Sequence, residues 1–310
     1  MTLPTSQTKA VALSKIQQIL RCYLRAMSRR SLVLFAALSV IWGLPYLFIK
    51  YSIAELDATM IVLLRTLPSA IVLLAWSAFK GNLRANLTWW KPALLFGFVE
   101  MVFPWWLITE AEKELDSGLT GLLLATVPLF GVIIARLSGD KTASSPKRML
   151  GLLIGLAGVG MLMGLNPQDV KIPLLQVGMV LIGAIGYAIG PFTIAKTVGK
   201  ADPITIIGMS LGFVGVLYIP LGLAHIPTHM PSALALWSVA VLTLVCTVAA
   251  FIVFFSLIAE VGGIKATLVT YINPAVAIAL GIVLLKEPVT LGLLIGFPMV
   301  LGGSWLASKH

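Results

Sequence analysis

Charge is what this sequence has least of. Only 11% of its 310 residues are Asp, Glu, Lys or Arg, against 59% hydrophobic, and its mean hydropathy is +1.00. A chain with so little polar surface cannot cover a soluble globule, so it belongs in a bilayer. Cysteine is nearly absent. Cys22 and Cys246 are the only two, and neither has the spacing of a metal site, which argues against a disulfide framework, a structural zinc and any metal cofactor. No Walker-type phosphate loop, no His-Glu-x-x-His and no paired acidic motif occurs. His225, His229 and His310 all fall in expected loops or at the end, so no catalytic constellation stands out and no cofactor is implied. Acid is missing altogether from residues 1–30, which carry Lys9, Lys15, Arg21, Arg25, Arg29 and Arg30. The apolar residues between these bases are too interrupted for a signal-peptide core, and the stretch reads as a basic tail. Ile16, Ile19, Leu20, Tyr23, Leu24 and Met27 recur at helical spacing, which suits either a helix lying on the membrane surface or a loose tail. Met27 would also serve as a start, in which case the preceding residues are an extension.

What is there is a series of apolar runs. Ten are each about long enough to cross a hydrocarbon core of roughly 30 Å as a helix. They cover 32–50, 58–79, 92–109, 117–136, 149–165, 174–195, 203–224, 234–257, 264–285 and 289–307. Of the 22 Lys and Arg residues, 17 fall in the tail and in alternate loops, 4 in the intervening loops (Lys50, Lys113, Lys171, Lys286), and Arg65 lies within a run. That asymmetry predicts both termini in the cytoplasm. It also accounts for the net charge of +10 by membrane topology rather than by nucleic-acid binding.

The chain says one thing twice. Leu150-Gly151-Leu152-Leu153-Ile154-Gly155 recurs as Leu291-Gly292-Leu293-Leu294-Ile295-Gly296. A shift of 146 residues carries Pro45 onto Pro191, Lys50 onto Lys196 and Pro128 onto Pro274, and the smaller shift of the hexapeptides fits a short insertion around Thr142 to Pro146. Five helices per half is an odd number, so the second half must enter from the opposite side of the membrane. The expected fold is therefore an all-α integral membrane protein of ten transmembrane helices, built as two inverted five-helix repeats around a central cavity. The expected division is a tail over 1–30, a first repeat over 31–165 and a second over 174–307. Such a pair can expose a central site to either side by exchanging the conformations of its halves, without needing a second chain to form an oligomer.

Two ionisable residues sit inside the runs. Glu100 is near the middle of the third and Arg65 a third of the way into the second. A charge at helix centre costs roughly 2.5–3.5 kcal/mol even on the lenient insertion scale, so each should face a cavity or a partner, and pairing with one another is the other way to satisfy them. If Glu100 titrates, protons join the small-molecule substrate and the lipid bilayer among the expected partners. Trp42, Pro45 and Tyr46 share one helical face in the first run, and Tyr187 with Pro191 answers in the sixth. Trp105 follows Glu100 closely, after Pro104, whereas Trp89 and Trp90 flank an expected loop and read as interface anchors. Tyr271 and Asn273 stand beside Pro274 as Thr126 stands before Pro128. Each of these prolines removes a helical hydrogen bond, so Pro45, Pro104, Pro128, Pro191 and Pro274 mark expected hinges or kinks, static or mobile. The expected cavity lining is Trp42, Tyr46, Arg65, Glu100, Trp105, Tyr187, Tyr271 and Asn273. The glycines of the fifth and tenth runs suit close helix packing.

Trp42-Gly43, the proline-centred fourth and ninth runs around Pro128 and Asn273-Pro274, Lys286-Glu287-Pro288, and the glycine-rich runs closing each half together resemble the EamA branch of the drug/metabolite transporter superfamily. The likeness covers about residues 31–307. One turn departs from it: the first half has Gly139-Asp140-Lys141 where a Gly-Glu-type turn is common in the family. The resemblance implies a secondary carrier with a central cavity between its halves, and family members that export amino acids make export of amino acids or analogues across the bacterial inner membrane the expected activity, with aromatic cargo suggested by the tryptophans and tyrosines. Efflux of lipophilic cations or drugs is the competing expectation, and a membrane-embedded enzyme or lipid-handling protein a third.

Overall fold

The computed structural model describes residues 28–139, 145–164, 173–194 and 199–308. Residues 1–27 of the basic tail, with its helical spacing, and Asp140-Lys141 lie outside the described residues, whereas Arg29 and Arg30 open the first helix. Among the described residues, ten helices are long and apolar enough to cross a membrane: α1 (Arg29–Ile53), α2 (Ala58–Phe79), α3 (Leu83–Ala111), α4 (Ser117–Leu137), α5 (Pro146–Met163), α6 (Leu174–Ile194), α7 (Pro203–Leu223), α8 (Ala233–Val261), α9 (Thr267–Leu285) and α10 (Leu291–Ser308). Their starts are written locally. Asp57 accepts from the Thr59 N–H at 2.9 Å, Asp202 from Thr205 N–H at 2.8 Å and Ser232 from Ala235 N–H at 3.2 Å, each satisfying one of the unpaired donors of a first turn. The largest departure from expectation is α3, which begins at Leu83, so that Trp89 and Trp90 belong to its first turns rather than to a loop.

Two helix pairs join the halves most extensively, α5 with α10 and α2 with α7, as an inverted repeat requires of equivalent helices. In the first pair the two hexapeptides supply the approach. A Cβ at Gly303 would collide with the backbone of Gly155, and one at Gly151 with the backbone of Ala307. In the second, a Cβ at Gly215 would come within 2.9 Å of Leu67 Cα, and the Ser77 and Thr205 hydroxyls meet at 2.5 Å. With no hydrophobic drive between helices in lipid, this close backbone contact and the paired hydroxyls are what hold such interfaces.

The helices of the two halves also break in register. A π-helical segment runs over Phe98–Val102 in α3 and another over Leu244–Ala249 in α8, starting 146 residues apart. α1 is interrupted after Ile41 and resumes at Pro45; α4 is interrupted after Leu124 and resumes at Val127-Pro128; α9 changes from 3-10 geometry over Thr267–Tyr271 to α-helix at Asn273-Pro274. Four of the five expected prolines therefore open a helical segment: Pro45, Pro104, Pro128 and Pro274. Pro191 is different. The helix Leu174–Ile194 runs through it without interruption, so it makes no break of the kind seen at Pro45.

Candidate functional site at the repeat interface

The wider turns of the π segments turn polar groups inward near the middle of α3 and α8. Glu100 lies within the α3 segment and Thr247 within the α8 segment, and the carbonyls such a segment leaves free find new partners. Tyr218 donates to Val102 O at 2.8 Å, and the Thr247 hydroxyl to Leu242 O at 2.8 Å. Thr247 in turn accepts from Arg65 Nε at 3.0 Å, and the Arg65 guanidinium carbon lies over the Trp105 ring, 3.9 Å from its centroid. Arg65 of the first half is thereby held between α3 and α8, by a hydrogen bond on one side and a cation–π contact on the other. Tyr46 and Tyr187 lie close enough to Arg65 to interact with it electrostatically, as does Cys246.

Glu100 does not pair with Arg65. No ion pair joins them among the described residues, which sets aside the alternative of a mutual lock, and Glu100 Oε2 is buried with no hydrogen-bond partner. Its carboxyl group faces α6 at Gly190, where a Cβ would collide with it; only glycine leaves it room. Tyr187, one turn earlier on α6, is its electrostatic neighbour. Arg65, Glu100, Tyr46 and Tyr187 are each half-buried. Trp105, at 6% exposed, forms the wall behind Arg65.

The structure thus brings five of the expected residues together: Tyr46, Arg65, Glu100, Trp105 and Tyr187. The other three sit elsewhere. Trp42 packs on Phe254 at 4.8 Å between centroids and edge-on to Phe251 at 6.3 Å. Asn273, with its amide oriented to suit its neighbours, donates to Ser39 O at 3.1 Å and Val269 O at 2.8 Å, bridging the broken helices α1 and α9. Tyr271 donates to Ser308 Oγ at 2.8 Å near the end of α10.

Three polar residues join the cluster unannounced. Thr247 falls on Met101 under the 146-residue shift and could have been found beside Glu100 by that register; Cys246 falls on Glu100 itself. Glu112 ends α3 and is wholly buried, with both carboxylate oxygens lacking partners. Its spacing of seven from Trp105 places it two turns further along the same helix face, but a span ending at residue 109 put it in a loop.

Beyond Glu112, at the end of the bundle away from the termini, side chains from both halves grip the turn between α3 and α4. Lys50 Nζ donates to Glu112 O at 2.7 Å and Leu115 O at 2.8 Å. Glu287 accepts from the Ser117 and Gly118 N–H groups at 2.6 and 2.9 Å, capping α4 from the second half. It is aimed there by Lys286, whose φ of 59° turns the chain back at the end of α9 so that Glu287 N–H reaches Gly281 O at 3.1 Å. Nearby, Lys113 pairs with Asp57 at 3.7 Å, and Glu55 accepts from the N–H and hydroxyl of Ser232 at 2.6 and 2.5 Å. Burial pushes the carboxyls of Glu112 and Asp116 above the usual range, the Glu287 charge adding to both and Lys50 opposing. The hydrogen bonds from Ser232 hold Glu55 below it.

Comparison with known proteins fits this architecture. The model of the EamA-like transporter family matches residues 29–164 and again 174–309. An uncharacterised inner membrane transporter of Escherichia coli (strain K12), YedA, is 30% identical over 270 residues, 82% of this chain and 83% of the relative. The uncharacterised transporter YvbV of Bacillus subtilis (strain 168) is 24% identical over 87% of this chain and 89% of its own. A solved crystal structure covers 91% of this chain and 97% of the other at 19% identity with a TM-score of 0.62, which shows a shared fold. With its two inverted five-helix repeats and a polar cluster where they meet, this chain belongs to the EamA-like transporter family.

Proposed function

We propose that this protein is a secondary transporter of the inner membrane, with both termini cytoplasmic, that exports amino acids or their analogues by alternating access. One observation carries the reading: Arg65 and Glu100, of opposite charge type, lie in the same interior cluster without pairing, beside Trp105, Tyr46 and Tyr187. A zwitterion supplies both missing partners. Its carboxylate accepts from the guanidinium N–H groups that Thr247 does not use, and its ammonium meets Glu100. An aromatic side chain gains further contact with the neighbouring rings, which is the reason to favour aromatic amino acids within the class. Exchange between the two halves about the α2–α7 and α5–α10 contacts then moves the site from one side to the other.

The unpartnered Glu100 oxygen favours a second reading, efflux of a lipophilic cation that meets Glu100 directly. Counterflow in proteoliposomes separates the two: vesicles loaded with unlabelled amino acids accumulate external labelled amino acid under the first reading. Under the second they do not, and cells expressing the protein resist cationic dyes in a manner lost in Glu100→Gln.

A further inference from the structure

Lys50 and Glu287 hold the 112–118 turn from opposite sides, one from each half, and Glu112 lies where the two grips meet the polar interior. Lys50 grips the main-chain carbonyl of Glu112 yet makes no ion pair with its side chain among the described residues. The carboxyl group is at 0% exposure, with neither oxygen partnered. The charged and titratable groups facing it from the surrounding elements are Lys50 and Tyr46 on α1, Arg65 on α2, and Glu287 after α9. None is hydrogen-bonded to it, and an ionised carboxylate left so would carry a penalty far above that of a neutral acid.

We propose that Glu112 is a proton-binding site that operates a gate at this end of the bundle, closed when the carboxyl group is protonated and open when it is ionised. The closed state has the contacts of the structure: the neutral acid is buried and the Lys50 ammonium is satisfied by the carbonyls of Glu112 and Leu115. Parting of the 112–118 turn from Glu287 admits water, and the carboxyl group gives its proton to that water. The carboxylate then takes the Lys50 ammonium from the carbonyl of its own residue, a move of one side chain. Reclosure takes a proton back from water. A proton thus binds at a place separate from the Arg65–Glu100 cluster. The inference rests on the transport reading for its purpose, but its test does not need a substrate.

Spin labels on cysteines at Glu114 and Val289, both exposed, with Cys22 and Cys246 replaced, report the separation across the gate in lipid nanodiscs. Between about pH 5 and pH 9, a window spanning a displaced carboxylate, the wild-type background shifts from a short to a long distance. Glu112→Gln stays short throughout, and Glu112→Asp restores the shift, which a merely structural role for the side chain would not do. A wild-type distance that ignores pH, or a Glu112→Gln distance that follows it as wild type does, overturns the proposal. Loss of amino-acid counterflow as an activity with these distances behaving as described removes the cargo reading and leaves the gate.

Discussion

Arg65 stacks its guanidinium 3.9 Å above Trp105 and leaves Glu100 alone, although both are intramembrane residues of the same repeat. An arginine already satisfied by an aromatic face and the Thr247 hydroxyl keeps donors available, and that is how a fixed charge can be held inside a bundle without being neutralised there.

Replacing Arg65 tests this directly. Arg65→Lys retains the charge but loses the planar guanidinium and its fork of donors, so binding of an aromatic amino acid, followed by quenching of tryptophan fluorescence, weakens by about ten- to a hundredfold, the scale of one charge-assisted hydrogen bond. Arg65→Gln weakens it at least as much. Equal affinity in both folded variants would place the cargo carboxylate elsewhere.

Gly155 and Gly303 bring α5 and α10 to backbone contact, the first hexapeptide packing there against the C-terminal turns of α10. Gly303→Leu forces those helices apart, with a loss of about 3 kcal/mol or more expected from overpacking a closed interface. It lowers the thermal midpoint in detergent sharply. Gly302→Leu, one residue along where nothing lies within 4 Å, leaves the midpoint nearly unchanged.

Glu287 caps α4 across the repeat boundary. Glu287→Gln keeps the shape but removes the charge at a helix N-terminus, at a cost of about 1 kcal/mol, while Glu287→Ala leaves the two N–H groups without their acceptor and costs about 1–2 kcal/mol. Thermal melts of the two variants rank in that order below wild type.

Carboxylates at the gated end act on stability with opposite signs. Hydrogen bonds hold Glu55 low, so what it contributes is present above the ordinary carboxylate range and is lost as pH falls through its lowered value. Burial holds Glu112 high, so its contribution is complete below the ordinary range and is lost as pH rises toward its raised value. Thermal inactivation measured against pH accordingly has a shallower alkaline slope in Glu112→Gln, the remainder belonging to Asp116, which burial also raises, and keeps its acid one.

Much of the fold was legible because lipid imposes a simple rule: apolar runs of the right length become helices. The register of 146 even carried to the paired π segments, though nothing in periodicity distinguishes five residues of π-helix from α. Of the candidate site, Glu100, Arg65 and Trp105 stood out by the cost of placing charge in the membrane or by proximity in sequence. Glu112 did not. Ionisable residues at a helix end are usually solvated, and only the Lys50 and Glu287 contacts, each between segments far apart in the chain, reveal that this one is sealed in. Tyr271 and Asn273 misled for the converse reason. Polar groups beside a proline break suit a wet cavity, but here they satisfy backbone and hydroxyl groups that the breaks and neighbouring helix ends expose.

The cluster of Arg65 and Glu100 between the repeats is proposed to bind and move a small zwitterion. Counterflow tests it most directly: proteoliposomes loaded with a pool of unlabelled aromatic amino acids receive trace labelled phenylalanine outside. Wild type accumulates label above the level of empty vesicles, and Glu100→Gln, with an unchanged thermal midpoint, does not. Label that fails to accumulate with wild type, or accumulates equally with Glu100→Gln, contradicts the account.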